Sequence, residues 1–260
     1  MAKMNPPSLA SRIDAVEIKQ ERRPHLGGSQ IGHKCKRYLW YTFHWAYENH
    51  INTKSNRIFR IGDCAEDLIV ADLARVGKFV TAQQRRVTGL MGHCGGSTDG
   101  QLGHDTLFEA KSMNVSNYNK LKREGVKEGF PIYYAQLQYY MGYLGMSNAL
   151  FISMNKNTQE LWPETVQFDK ERFEELKLTE KQIIYSESPD EFERIGPNRS
   201  WHECRFCPAN GVCHEDEPIL RTCRSCKFSD PVENGVWKCM LKGTPLSMHD
   251  QLEGCGKYKG

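Results

Sequence analysis

The stretch STDGQLGHDTLFEAKS, residues 97–112, most constrains what this chain can fold into. From Thr106 to Ser112 it reads as a short extended run that ends at Asn114. Side chains alternate between faces along a strand, so Leu107, Glu109 and Lys111 share one face. Phe108 and Ala110 take the other, with Thr106 and Ser112. Such a strand packs through its small apolar face and presents a carboxylate and an ammonium side by side on the opposite one. Asp99-Gly100 upstream is a turn signal.

Around this strand the hydrophobic period changes. Residues 9–22 read as a charged helix, and Ser29 is the expected N-cap of an aromatic-rich helix in GGSQIGHKCKRYLWYTFHWAYEN. In NRIFRIGDCAEDLIVADLARVG, Ile61, Ala65, Leu68, Ile69 and Leu73 fall at helical spacing and Gly77 stops the helix. KFVTAQQRRVTGL, HCGGSTDGQLG and TLFEAKS read as three strands of a meander. Helices are predicted over roughly 115–124 and 131–145, then a hairpin of NALFISMNK and ELWPETVQF, then a charged helix over 169–186. This order predicts an α/β fold with a central mixed β-sheet flanked by helices.

Hydrophobic residues make up 39% of the chain and charged residues 26%, which marks a globular protein and excludes a disordered one. No apolar run approaches a membrane span, and MAKMNPPSLASRIDAVEIKQ lacks a signal-peptide core, so a cytoplasmic protein with no membrane partner is expected. A net charge of +3 permits nucleic-acid binding through local patches without arguing for it. No G-x-x-x-x-G-K-[ST] phosphate loop appears, so the sequence carries no helicase motif. Ten cysteines are harder to place: disulfides are disfavoured in a reducing compartment, and seven of the ten lie after residue 200. A cysteine-rich C-terminal metal-binding region is the expectation.

Asp99, Glu109 and Lys111 together spell D-x9-E-x-K. Two carboxylates at the ends of adjacent strands can converge on one hard divalent cation. A lysine one pleat on would orient or activate a water, or steady developing negative charge. Taken singly, Asp-Gly is a turn and E-x-K an exposed ion pair. Gly62-x-x-x-Glu66 stands on the helix before the strands, and Gln136 and Tyr140 stand one turn apart on a helix after them.

In this order the residues resemble the PD-(D/E)XK nucleases, in the branch that holds RecB-type nuclease domains and lambda-type phage exonucleases. There, G-x-x-x-[HE] precedes D…[DE]-x-K and Q-x-x-x-Y follows. The resemblance covers roughly residues 28–215. It implies Glu66, Asp99 and Glu109 as ligands of Mg2+ or Mn2+, Lys111 as catalytic lysine, and Gln136 and Tyr140 as substrate-side or site-organising residues. Many RecB-like members carry histidine where Glu66 stands, so its place at the metal rests on resemblance alone. The implied reaction is hydrolysis of a DNA phosphodiester by a metal-activated water. Arg57, Arg60, Arg85, Arg86, Lys120, Lys122, Arg123 and Lys127 bracket these positions and could track phosphates as a group. Ser29, Lys34 and Arg37 lie near Cys35, where related exonucleases engage the substrate end.

The cysteines admit two partitions. Spacing alone joins Cys204, Cys207, Cys223 and Cys226 as C-x2-C-x15-C-x2-C, a generic zinc pattern that leaves Cys213, Cys239 and Cys255 to find partners, with His214 or His249 among the candidates. The resemblance offers the other. CRISPR-adaptation and AddB-type nucleases bind a [4Fe-4S] iron–sulfur cluster through one cysteine before the core and a C-x2-C-x5-C after it, which here are Cys35 and Cys204, Cys207 and Cys213. Cys223, Cys226, Cys239 and Cys255 then remain as a complete thiolate set for Zn2+. Only Cys64 and Cys94 are left over, as ordinary small buried residues. On this partition residues 1–215 form a nuclease domain that includes the cluster region, and 216–260 a small zinc-binding module.

The expectation is therefore a metal-dependent DNA exonuclease acting on single- or double-stranded ends in recombination, repair or CRISPR-adaptation-like end processing. A homo-oligomeric ring and a recombination partner protein are carried only by analogy. Two rivals stand beside it: a nicking or structure-specific endonuclease of the same chemistry, and a non-catalytic DNA-binding scaffold whose metal sites are structural.

Overall fold

A computed structural model describes residues 8–19, 22–48 and 50–260. Helix α1 (Leu9–Asp14) is followed by β1 (Glu17–Lys19), β2 (Leu26–Gly27), α2 (Lys36–Phe43), β3 (His50–Asn52) and α3 (Thr53–Arg75). Short strands β4 (Val80–Thr81), β5 (Arg86–Thr88), β6 (Cys94–Ser97) and β7 (Gly100–Leu102) lead to β8 (Thr106–Met113). Helices α4 (Val115–Gly129) and α5 (Pro131–Leu144), strands β9 (Asn148–Asn155) and β10 (Leu161–Gln167), and α6 (Lys170–Tyr185) complete the core. Beyond them come α7 (Asn210–His214), β11 (Ser229–Val232), β12 (Val236–Cys239), β13 (Thr244–Leu246) and α8 (Met248–Leu252).

The central sheet runs β10-β9-β8-β7-β4 and is mixed: β8 and β9 are parallel, and the other neighbours are antiparallel. Parallel neighbours need a crossover, which α4 and α5 supply. Alternation along β8 splits its contacts as expected. Phe108 and Ala110 pack with Ala65 and Ile69 of α3 and with Ile152 and Met154 of β9, while Leu107 joins the larger core with Leu137 and Met141 of α5. The strand is thus covered on both faces, and α5 is buried around most of its circumference, from Tyr134 to Met141. Its buried Gln138 is satisfied by Gln167 O at 3.0 Å and by the Asp169 N–H at 2.7 Å.

The expected three-strand meander is five strands in two sheets, four of them short. β6 belongs to a second sheet, β2-β6-β5, and the chain passes from it into β7 of the central sheet through Thr98 and Asp99. Asp99-Gly100 is therefore no hairpin turn. Gly100 opens β7 at φ +153°, where a Cβ would collide with Val80. The turn between β7 and β8 lies instead at residues 103–105, with Gly103 at φ +62°. At the N-terminus, helix α1 stops at Asp14 and β1 follows, and positions 20 and 21 lie outside the described residues. The aromatic helix is capped by Cys35 and not by Ser29: the Cys35 thiol accepts from the Tyr38 N–H at 3.4 Å. Cys94 is buried as expected, whereas Cys64 is exposed on α3.

The C-terminal segment builds its own antiparallel sheet, β11-β12-β13. It packs onto the rest through Trp237, fully buried against Phe43, His44 and His93. The His93 ring hydrogen-bonds Val232 O at 2.7 Å within this junction.

Candidate active site

The register Gly100↔Phe108 sets Asp99 directly across from Glu109. There the ladder changes character, because the Ala110 N–H donates to Asp99 Oδ2 at 2.8 Å. A side-chain carboxylate has taken the place of a backbone acceptor there. Glu109 is 1% exposed. Its Oε1 accepts from Gln136 Nε2 at 2.7 Å and is ion-paired with Lys111 Nζ, while its Oε2 has no hydrogen-bond partner.

Charge gathers here more densely than hydrogen bonding can offset. Burial, and after it the Lys111 ammonium and the Asp99 carboxylate, act on Glu109, and the net effect pushes its pKa up to about 7. Glu66, half-buried on α3, is likewise pushed up to about 7, by burial and then by Asp99 and Glu109. Glu66 on the helix thus lies in the field of Asp99 and Glu109, and Glu109 in that of Asp99. Burial works against the charge of Lys111, but Glu109 and Asp99 outweigh it and raise its pKa, so it stays an ammonium. Carboxylate oxygens are hard donors, and one of those on Glu109 is buried and unpartnered.

Gln136 and Tyr140 stack on one face of α5, as their spacing requires. Gln136 is bonded to Glu109, and Tyr140 is 3% exposed with burial, then Glu109, raising its hydroxyl pKa. Two glycines accommodate that ring. A Cβ on Gly28 would come within 2.6 Å of Tyr140 Cε1, and one on Gly96 would collide with the Tyr140 hydroxyl. Sequence reading assigned these glycines no part in the site, because their requirement arises from contacts far away in the chain. It missed Glu180 for the same reason. This buried carboxylate on α6 accepts from Tyr139 Oη at 2.8 Å, Tyr143 Oη at 2.6 Å and the Leu90 N–H at 2.6 Å.

The basic residues divide. Arg37 is buried, paired with Asp190 at 2.6 Å and bonded to Phe192 O at 3.1 Å. Arg57 is paired with Asp14 at 2.6 Å, Lys34 with Glu203 at 3.6 Å, Lys120 and Arg123 with Glu124, and Lys127 with Asp169. Lys122 lies over the Trp162 and Tyr118 rings. Arg85 donates to Gln101 at 3.0 Å, Arg60 and Arg86 are exposed, and Ser29 is half-buried.

The cysteines form two groups. Cys35, Cys204, Cys207 and Cys213 line one cavity with His33, Tyr41 and His214. Cys223, Cys226, Cys239 and Cys255 line another. The spacing-based set of Cys204, Cys207, Cys223 and Cys226 is divided between the two. All ten thiols are free of disulfides. Among the described residues, no three or more His, Cys, Asp or Glu side chains are drawn together, as they stand, in the manner of a metal site.

No family model and no curated protein matches the chain. Among solved structures, it is similar to the alkaline exonuclease LHK-Exo of Laribacter hongkongensis, with a TM-score of 0.49 and 18% identity over 62% of this chain and 87% of that one. The same exonuclease in complex with dAMP gives 0.48 and 16% over 62% and 87%. A phage-related exonuclease of Haemophilus somnus 129PT gives 0.47 and 12%, over 61% of this chain and 91% of that one. These likenesses fall below a TM-score of 0.5 and place the chain in no family.

Proposed function

We propose that the chain is a divalent-metal-dependent deoxyribonuclease that hydrolyses phosphodiester bonds at DNA ends. The observation that carries this reading is the state of Glu109: buried, held by Gln136 and Lys111, with one oxygen unpartnered and the charges of Asp99 and Glu66 acting across the same site. Glu66, Asp99 and Glu109 would hold Mg2+ or Mn2+, which when bound supplies Lewis-acid stabilisation of phosphate charge and an acidified water.

The chain's own residues do the rest. Gln136 fixes the Glu109 carboxylate by one hydrogen bond. Asp99 is oriented by the Ala110 N–H. Lys111, kept charged by its carboxylate neighbours, serves to stabilise negative charge on the phosphate and not to abstract a proton. Tyr140, wedged between Gly28 and Gly96, forms a wall on the α5 side. Arg60, Arg85 and Arg86, exposed and without an ion-pair partner among the described residues, would meet phosphates. Cys35, Cys204, Cys207 and Cys213 would hold a [4Fe-4S] cluster that ties α2 to the segment after α6.

The test is digestion of end-labelled single- and double-stranded DNA with Mg2+ or Mn2+, wild type beside Glu109→Ala. Cleavage that needs the metal and is lost in the variant supports the reading. No cleavage of any substrate by metal-loaded wild type sinks it. Substrates with blocked ends separate an exonuclease from an endonuclease. For the cluster, anaerobically purified protein should be brown and contain iron, and Cys213→Ser should be colourless.

A further inference from the structure

Cys223, Cys226, Cys239 and Cys255 line a small cavity between the C-terminal sheet and the tail, walled by Phe228, Leu246 and Tyr258. Tight backbone turns carry all four. Cys226 N–H donates to Cys223 O at 3.2 Å, and Ser229 N–H to Cys226 O at 2.9 Å. Cys239 ends β12, where Gly243 N–H returns to its carbonyl at 2.8 Å. Cys255 opens a turn closed by Tyr258 N–H at 3.0 Å.

The same turns carry a second feature. Arg224, between the first two cysteines, is 1% exposed and has no carboxylate partner among the described residues. Its guanidinium donates to Pro24 O at 2.7 Å, Phe43 O at 3.2 Å and Gln251 Oε1 at 2.8 Å. It lies 3.9 Å from the centre of the Trp45 ring and 4.9 Å from that of Trp237. Trp237 stands two residues before Cys239 on β12. A buried cation with only neutral partners is costly to hold, so whatever fixes these turns also fixes the charge.

We propose that Cys223, Cys226, Cys239 and Cys255 bind one Zn2+ as a structural four-thiolate site, and that this ion locks Arg224 and Trp237 into the core. Four sulfur donors suit closed tetrahedral zinc and leave no position for substrate. Ligation of this kind contributes folding free energy directly. Closing the thiols on one ion is the rearrangement that binding requires, since as they stand they do not meet at a point. Through Pro24 the lock reaches β2 and then Gly28, which abuts Tyr140.

The experiment measures metal and tryptophan fluorescence on the full chain and needs no DNA cleavage, so it is independent of the nuclease reading. Wild type purified with zinc under reducing conditions should lose one zinc equivalent per chain in Cys239→Ser and in Cys255→Ser, and none in Cys64→Ser. Cobalt exchanged into wild type should give the intense sulfur-to-cobalt absorption of a tetrahedral thiolate site. Chelation should shift the tryptophan emission and lower the melting temperature. Folded wild type with neither zinc nor a cobalt–thiolate band overturns the proposal, as does zinc content unchanged in both serine variants, or iron or disulfides at these cysteines. Should the serine variants fail to fold, the cobalt spectrum of Cys213→Ser, in which the other four-cysteine group is broken, decides: a retained thiolate band supports the site and a lost one overturns it. Zinc removal that leaves emission and melting unchanged overturns the locking role.

Discussion

Lys111 and Glu109 show how one residue's chemistry depends on its neighbour. Each alone would be poorly tolerated in this setting, and together they keep an ammonium beside a buried carboxylate. Lys111→Ala is expected to lower cleavage by about 10²–10³-fold, the usual cost of removing one preorganised charge-stabilising group. Activity of the purified variant equal to wild type would mean that the cleavage comes from elsewhere. Gly28→Ala puts a methyl within 2.6 Å of Tyr140 and 3.1 Å of Tyr139. Overpacking of this sort costs about 1–3 kcal/mol, read as a lower denaturation midpoint. The D-x9-E-x-K pairing was legible in the sequence because strand alternation and spacing are local. The part played by Gly28 was not, since its crowding comes from α5, more than a hundred residues later.

At the scale of elements, α5 is the organiser. It sends Gln136 to Glu109, Tyr140 to the glycines, and Tyr139 and Tyr143 to Glu180 on α6. Glu180→Ala would leave two hydroxyls and one backbone N–H without their acceptor, costing about 2–4 kcal/mol. Denaturant unfolding of the variant measures this, with Glu180→Gln expected to recover part of the loss. Helices α3, α5 and α6 were readable from periodicity and caps, as was the β9–β10 hairpin. The meander was not: β4 to β7 are two to four residues long, and nothing local tells a strand that continues straight from one that changes sheets. Asp99-Gly100 misled for that reason, since the glycine is demanded by Val80 across the sheet and not by a turn.

For the whole molecule, the acidic cluster links folding to pH. Glu109 and Glu66 are pushed from the ordinary carboxylate value of 4.5 up to about 7. Between these values the folded chain holds more protons than the unfolded one, so this cluster's contribution to stability falls as pH rises and is fully lost above 7. Buried His44, pushed down to about 4 by burial, works in the opposite direction up to its ordinary 6.5. The informative comparison is therefore between variants. In EDTA, wild type should lose melting temperature relative to Glu109→Gln as pH goes from 4.5 to 7, and parallel curves would show that Glu109 ionises normally.

The sequence by itself determined the α/β class, the major helices and the positions of the acidic residues, because period, caps and motif spacing are properties of neighbours in the chain. Only the tertiary structure decided which cysteines share a cavity, that Arg37 is paired with Asp190, and that Glu66 lies in the field of Asp99 and Glu109. Those are facts of packing between elements remote in sequence, where burial, steric contact and charge act through space.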